Sequence, residues 1–184
     1  MLSSSPLPGQ HFQVLAEHAH RAIPHQFLAF CLKDADVEGY FLHVLAGPTN
    51  GAIPLRVYGL AEGVAGQVIL SGETINIADV RTDPRFIRLG VDPAYRSLLV
   101  TPVRSGEQKL GTISIQSSQP YAFTPNDLKL LSQLGTQAAI AIENANLLEN
   151  TKQALKEANA LYRINKGLVA SLDPHDLLQD TVEL

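Results

Sequence analysis

The stretch Gly63-Val-Ala-Gly-Gln-Val-Ile-Leu-Ser-Gly-Glu-Thr-Ile-Asn-Ile-Ala-Asp79 decides how the rest of this chain is read. Gly59, Gly63 and Gly66 punctuate its entry, Val64 to Leu70 reads as a short helix, and Ser71-Gly72 stops it. Thr74 to Ile77 follows as a short strand. A long polar connection through Pro84 and Pro93 comes next, and connections of that length inside a compact domain are functional or mobile.

Outward from this centre the pattern is mostly strands and turns. Upstream, Phe27 to Leu32 and Tyr40 to Leu45 flank the turn chemistry of Asp34-Ala-Asp-Val-Glu-Gly39 and make a hairpin. Ile53 to Val57 is a weaker strand because of Pro54. Further upstream, Phe12, Leu15, Ala16, Ala19, Ala22 and Ile23 recur at helical spacing until Pro24 ends the helix. Downstream, Ser97 to Arg104 and Lys109 to Ser117 form a second hairpin about Ser105-Gly-Glu-Gln108. Strands joined by short turns make the sheet largely antiparallel. Thr124-Pro-Asn-Asp127 is a helix start: Thr124 caps, Pro125 suits the first helical position and Asp127 stands where a capping-box acid belongs. The helix then runs to Ser171 with only Gly135 and Gly167 as weak points, beyond the roughly 25 residues at which coiled-coil or repeat architecture becomes the better explanation. Asp173-Pro174 opens another helix, and the chain stops at Leu184 inside an amphipathic pattern, the expectation for a piece of a longer protein.

The bulk properties exclude several classes. A length of 184 residues suits one domain plus an appendage, and 45% hydrophobic residues suffice for a core. The net charge of -4 is interspersed, with no basic block to neutralise phosphates, so nucleic acid is not an expected partner. The longest apolar run, Phe27 to Leu32, is too short to span a bilayer, and no membrane contact is expected. Met1 to Gln10 lacks the pattern of a signal peptide, and Met1 to Gly9 reads as a frayed leader. Cys31 is the only cysteine, so no intrachain disulfide forms, and the reading is cytoplasmic.

The order helix, hairpin, glycine-marked short helix, loop, hairpin, long helix resembles the GAF domain family. The words that carry the likeness are Gly63 to Asp79, Asp83-Pro-Arg-Phe86, Ser97-Leu-Leu-Val-Thr-Pro-Val103, Leu110-Gly-Thr-Ile-Ser-Ile115 and Phe123-Thr-Pro-Asn-Asp-Leu128. It covers about Gln10 to Glu149. Leu161 to Leu168, followed by Asp173-Pro174, looks like the opening helix of another such domain. The resemblance implies an α+β fold: a central antiparallel sheet with the first and last helices on one face, and the short helix and long loop enclosing a small-molecule pocket on the other. The strand Gly111 to Gln116 agrees, setting Ile113 and Ile115 on one face and Thr112, Ser114 and Gln116 on the other. The alternative is a solvated sheet face under a loop.

No catalytic or metal constellation emerges. No two of the six histidines sit four apart on a helix, and no cysteine pair exists, so zinc spacing is absent. Asp34 to Gly39 opens like a calcium loop, but Leu45 stands where the bidentate Glu belongs. The glycines match no phosphate loop. Free amides near Val64 to Gln67 could receive an anion, with Arg81, Arg85 and Arg88 adding charge; the alternative is plain turn formation with solvated arginines. No nucleophile elbow is present. The reductases of the resembled family use several cysteines, and its bilin-binding members a loop cysteine, neither of which this chain has. Its cyclic-nucleotide signature is matched only at Phe123 and Asp127, Leu128 replacing the Glu.

These readings combine into a regulatory, non-enzymatic sensor of a cytosolic signalling protein such as a two-component system, with no cofactor assigned and an unknown small molecule as ligand. The boundaries are a leader at 1–9, the sensor at 10–149, a signalling helix at 150–171 and the start of a following domain at 172–184. The expected pocket lining is His43, Val64, Gln67, Arg81, Phe86, Tyr95, Leu99, Thr112, Ser114 and Gln116. A homodimer is expected through a four-three seam of Ala138, Ala141, Ala145, Leu148, Lys152, Leu155, Asn159 and Tyr162, with a competing seam of Leu147, Ala154, Leu161 and Leu168. The alternatives are a ligand-free dimerisation spacer and a haem sensor ligated by His43.

Overall fold

The computed structural model describes residues 9–33, 37–47, 56–87 and 95–171. Residues 1–8 of the expected leader, Asp34 and Asp36 of the hairpin turn, most of the weak strand before Val57, Arg88, the side chain of Leu168 and the following-domain start at 172–184 lie outside the described residues, whereas Gly9, placed in the leader, opens the first helix.

Helix α1 (Gly9–Ala22) is followed by strands β1 (Phe27–Lys33), β2 (Gly39–Ala46) and β3 (Val57–Gly59), then α2 (Gly63–Ser71) and β4 (Ile75–Ile77). A single 3-10 turn, Val80–Thr82, leads towards β5 (Ser97–Ser105), β6 (Gln108–Ser117) and α3 (Pro125–Ser171). The six strands form one sheet in the order β3-β2-β1-β6-β5-β4, every neighbour antiparallel. The expected α+β architecture is the one observed. The chain divides into two compact units, one ending at Ile142 and one starting at Glu143.

In the first unit, α1 and the early turns of α3 bury their apolar stripes on one sheet face. Phe12, Leu15 and Ala19 of α1, with Ile23 just after it, meet Leu28, Phe30, Leu99, Ile113 and Ile115 of the sheet and Leu131, Leu134, Ala138 and Ile142 of α3. The rings of Phe12 and Phe30 meet edge to face at 4.5 Å, a favoured aromatic geometry. Gly135 is the contact point of α3 with β5: a Cβ there would come within 2.8 Å of the Pro102 carbonyl oxygen. The helix can approach the strand this closely only without a side chain at 135. Its start is a capping box: the Thr124 amide and hydroxyl each donate to Asp127 Oδ2 at 2.7 Å, and the Asp127 amide donates back to Thr124 Oγ1 at 3.3 Å.

The opposite face carries α2. Val64 and Val68 pack with Ile77, Val80, Leu98 and Val100, while Ile69 joins Cys31, Tyr40 and Tyr58. Gly66 is tucked against the Leu60 carbonyl, where any side chain would overlap the backbone. Gly72 ends α2 in the left-handed region (φ 76°), its amide donating to the Val68 carbonyl at 2.8 Å.

In the second unit α3 is solvent-exposed at every described side chain from Asn146 onwards. Leu147, Leu148, Leu155, Leu161, Tyr162 and Ile164 are all more than half exposed.

Candidate functional site

Between α2 and the sheet lies a cavity of about 70 Å³. Its walls come from β1 (Phe27, Cys31), β2 (Tyr40, Leu42), Tyr58, the first turn of α2 (Gly63, Val64, Ala65), the loop residues Phe86 and Ile87, and the strand pair β5–β6 (Leu98, Val100, Ser114, Gln116). Strand parity sets this lining. Ser114 and Gln116 alternate with Ile113 and Ile115, which are buried under α1 and α3.

One end is an aromatic wall. Tyr40 and Tyr58 stack with centroids 5.5 Å apart, and the Arg56 guanidinium sits 4.0 Å from the Tyr58 centroid. Arg56 also forks on to Glu62, whose carboxylate accepts from the Gly59 amide at 3.3 Å. Glu62 occupies the N-cap position of α2, yet makes no side-chain cap, so the helix start keeps its partial positive charge. The Tyr40 hydroxyl donates to the Glu62 carbonyl at 2.9 Å, and burial pushes its pKa up. Glu62 is held below the usual carboxylate range, chiefly by hydrogen bonding to Arg56.

The polar groups of the floor sit on β1 and β6. Burial pushes the Cys31 thiol up to about 12, with the Thr112 hydroxyl across the strand pair opposing the rise, so it is a neutral thiol at physiological pH. The Ser114 hydroxyl donates to the Ala29 carbonyl at 3.3 Å. Thr112 Oγ1 and Gln116 Oε1 are buried with no conventional hydrogen-bond partner among the described residues, as is the Tyr95 hydroxyl.

Four of the residues expected in the lining are there: Val64, Phe86, Ser114 and Gln116. Tyr95 is beside it, its ring 5.6 Å from that of Phe27, and Thr112 lies one step further along the same face of β6. Two fall on the other face. Leu99 belongs to the core under α1 and α3, and its neighbours Leu98 and Val100 line the cavity instead. His43 pairs across the sheet with Phe30, on the α1 side, because Tyr40 and Leu42 take the cavity side of β2. Burial lowers the His43 pKa, and its placement removes it as a ligand for a cofactor in this cavity.

Gln67 and Arg81 stand outside the cavity and serve the loop. Arg85 donates to Asp83 at 2.8 Å and to Gln67 Oε1 at 2.7 Å, tying the loop to α2. Arg81 donates to Asp79 at 3.0 and 3.2 Å, and Arg96 reaches the same carboxylate at 2.7 Å. Arg96 first and Arg81 second hold Asp79 well below its ordinary value. The loop arginines considered for an anion are therefore already paired with carboxylates, except Arg88, which is not described. The signal was local: Asp79-Val-Arg81 and Asp83-Pro-Arg85 repeat one acid–x–arginine spacing. Tyr40, Tyr58, Phe27 and Cys31 were missed because their strands are apolar on both faces and carry no alternation to read.

Among the described residues no group of three or more His, Cys, Asp or Glu could hold a metal, and no helix is long and apolar enough to cross a membrane. Of the seam on α3, Ala138 is consumed by the domain's own core, whereas Leu148, Lys152, Leu155, Asn159 and Tyr162 are exposed.

The family model of the GAF domain matches residues 10–143. The nitrogen fixation protein VnfA of Azotobacter vinelandii is 33% identical over 134 residues, covering 69% of this chain and 26% of that protein, so the chain spans about a quarter of that relative's length. Among solved structures, the GAF domain of a two-component sensor histidine kinase from Bacillus halodurans superposes with a TM-score of 0.65 at 21% identity, over 76% of this chain and 96% of that one. The type II free methionine-R-sulfoxide reductase from Thermoplasma acidophilum superposes at 0.62 and 20% identity, over 73% and 92%. At such identities the two structures speak for the fold alone.

Proposed function

The chain belongs to the GAF domain family, and from that premise we propose that it is the ligand-sensing, regulatory module of a cytoplasmic signal-transduction protein, dimerising through α3 and relaying occupancy along it to an effector. The observation that carries the sensing role is the cavity between α2 and the sheet, apolar in its walls with a few placed polar groups, the usual character of a small-molecule site. The polar pairs of the loop, Asp83–Arg85–Gln67 and Asp79–Arg96, supply latches that ligand entry would strain or release.

The module is not itself catalytic in this reading. A methionine sulfoxide reductase shares the fold, but the one thiol here is 3% exposed and neutral at physiological pH, the opposite of an activated nucleophile.

The relay rests on the helix. An isolated helix gains little from propensity alone, so Leu148, Leu155 and Tyr162 need an apolar surface, which a second copy supplies by the commonest symmetry. Lys152 and Asn159 in the same seam weaken it, as suits a contact that must shift. The test is the solution mass of the full chain against a version ending at Glu149. A dimer at tens of micromolar that becomes monomeric on truncation supports the reading; a monomeric full chain refutes it, and equal dimerisation by both moves the interface into the domain.

A further inference from the structure

We infer that the cavity takes a small, uncharged, single-ring molecule that donates a hydrogen bond to Gln116. This rests on the sensing role proposed above and narrows what enters the site.

Size comes first. One water needs roughly 10–15 Å³ of such space, so the cavity has room for about five to seven waters, or one ring with a substituent. Shape follows from the walls. Phe27, Tyr40, Tyr58 and Phe86 present aromatic surfaces, and flat rings pack against these with more contact than a flexible chain of the same size.

Charge is settled by comparing two effects. The uncapped start of α2 favours an anion, but a helix terminus returns only a fraction of what it costs to bury an unpaired charge. No charged side chain stands among the described lining residues to make up the difference. Cys31 stays protonated, and Arg56 is committed to Glu62 and the outer face of Tyr58. An uncharged molecule is the one that can enter without that cost.

The hydrogen-bond account then gives the polarity. Three buried side-chain atoms lack a partner among the described residues, His25 Nε2, Tyr95 OH and Gln116 Oε1, while Thr112 Oγ1 has only the Cys31 thiol beside it. Thr112 and Gln116 share the cavity face of β6, and Tyr95 packs on Phe27, the cross-strand neighbour of Gln116. The helix face differs: there Thr101 meets Thr74 at 2.9 Å and Ser132 at 3.1 Å. Unmet polar demand is thus concentrated on the side with the cavity. Within the lining itself, the Ser114 and Tyr40 hydroxyls already donate to carbonyls. The Gln116 oxygen can only accept, and it is sealed from solvent. A donor arriving from the cavity satisfies it once the side chain turns towards the lining.

Phenol, anisole and benzoate are titrated into the full chain and into Gln116→Leu, following the amide resonances of Val64 and Ala65. Phenol should bind about three- to tenfold tighter than anisole, the span of one net hydrogen bond, with benzoate weakest. In Gln116→Leu phenol should fall to the affinity of anisole. Benzoate binding tightest, phenol and anisole binding alike in the wild type, or a phenol preference that survives in Gln116→Leu overturns this ligand class and leaves the sensing role standing. If none of the three moves the cavity amides at millimolar concentration, both fall. Should Gln116→Leu not fold, the wild-type comparison of phenol with anisole decides alone.

Discussion

At the scale of single residues, Gln116 buries an amide oxygen with no partner among the described residues. An acceptor buried without a donor is unfavourable by about 1–3 kcal/mol, and replacing it with a leucine of similar size removes that penalty. Gln116→Leu should therefore raise the melting temperature of the unliganded chain by roughly 2–12 °C, taking about 2–4 °C per kcal/mol for a chain of this size. An unchanged or lower melt would mean that the oxygen is satisfied in solution. Asp79 works in the opposite sense. Its carboxyl, held down chiefly by Arg96, has a lower pKa folded than unfolded, so its stabilisation is present above the ordinary value of 3.8 and is lost as pH falls towards the folded one. Asp79→Asn should melt below the wild type at pH 7, and the gap should close in melts taken progressively below pH 3.8. A gap that persists at low pH would show that the loss does not come from the carboxylate's charge.

Among the elements, α3 offers the sharpest competition of magnitudes. Gly135→Ala gains about 0.8–1.0 kcal/mol of helix propensity, but the added Cβ meets the Pro102 carbonyl at 2.8 Å, backbone that cannot yield cheaply. Overpacking of this kind costs about 1–3 kcal/mol, so the variant should be less stable in denaturant titration; a gain would show α3 free to lift from β5. Thr124→Ala, which dismantles the capping box, should cost about 1 kcal/mol in the same assay. The start of α3 was legible because capping is written within four residues. The alternation of Ile113 and Ile115 with Ser114 and Gln116 was legible for the same reason, and Ser114 and Gln116 do line the cavity. Leu98-Leu99-Val100 is apolar throughout and buried on both faces, so no parity can be read from it, and Leu99 was assigned to the wrong side. His43 failed likewise within an unbroken apolar strand, next to a register shift between Leu28 and Ala29. The aromatic wall joins Tyr40 to Tyr58 through a pairing of β2 with β3 that no local pattern announces.

For the whole molecule, the claim is that cavity occupancy and the state of α3 are one equilibrium. If they are, coupling is reciprocal: a molecule that binds the dimer differently from the monomer changes dimer affinity by the same factor. Typical couplings of about 1–3 kcal/mol correspond to roughly 5- to 150-fold. In the proposed relay the exposed row of Leu148, Leu155 and Tyr162 would be the contact surface, and Lys152 and Asn159 would keep it weak enough to move. The most direct measurement is sedimentation equilibrium of the full chain with and without saturating phenol, beside the version ending at Glu149. The account predicts a dimer at tens of micromolar whose dissociation constant shifts at least about fivefold with phenol, and a truncated form that shows neither the dimer nor the shift. A full chain that stays monomeric, or a dimer whose affinity is the same with phenol bound, would contradict it.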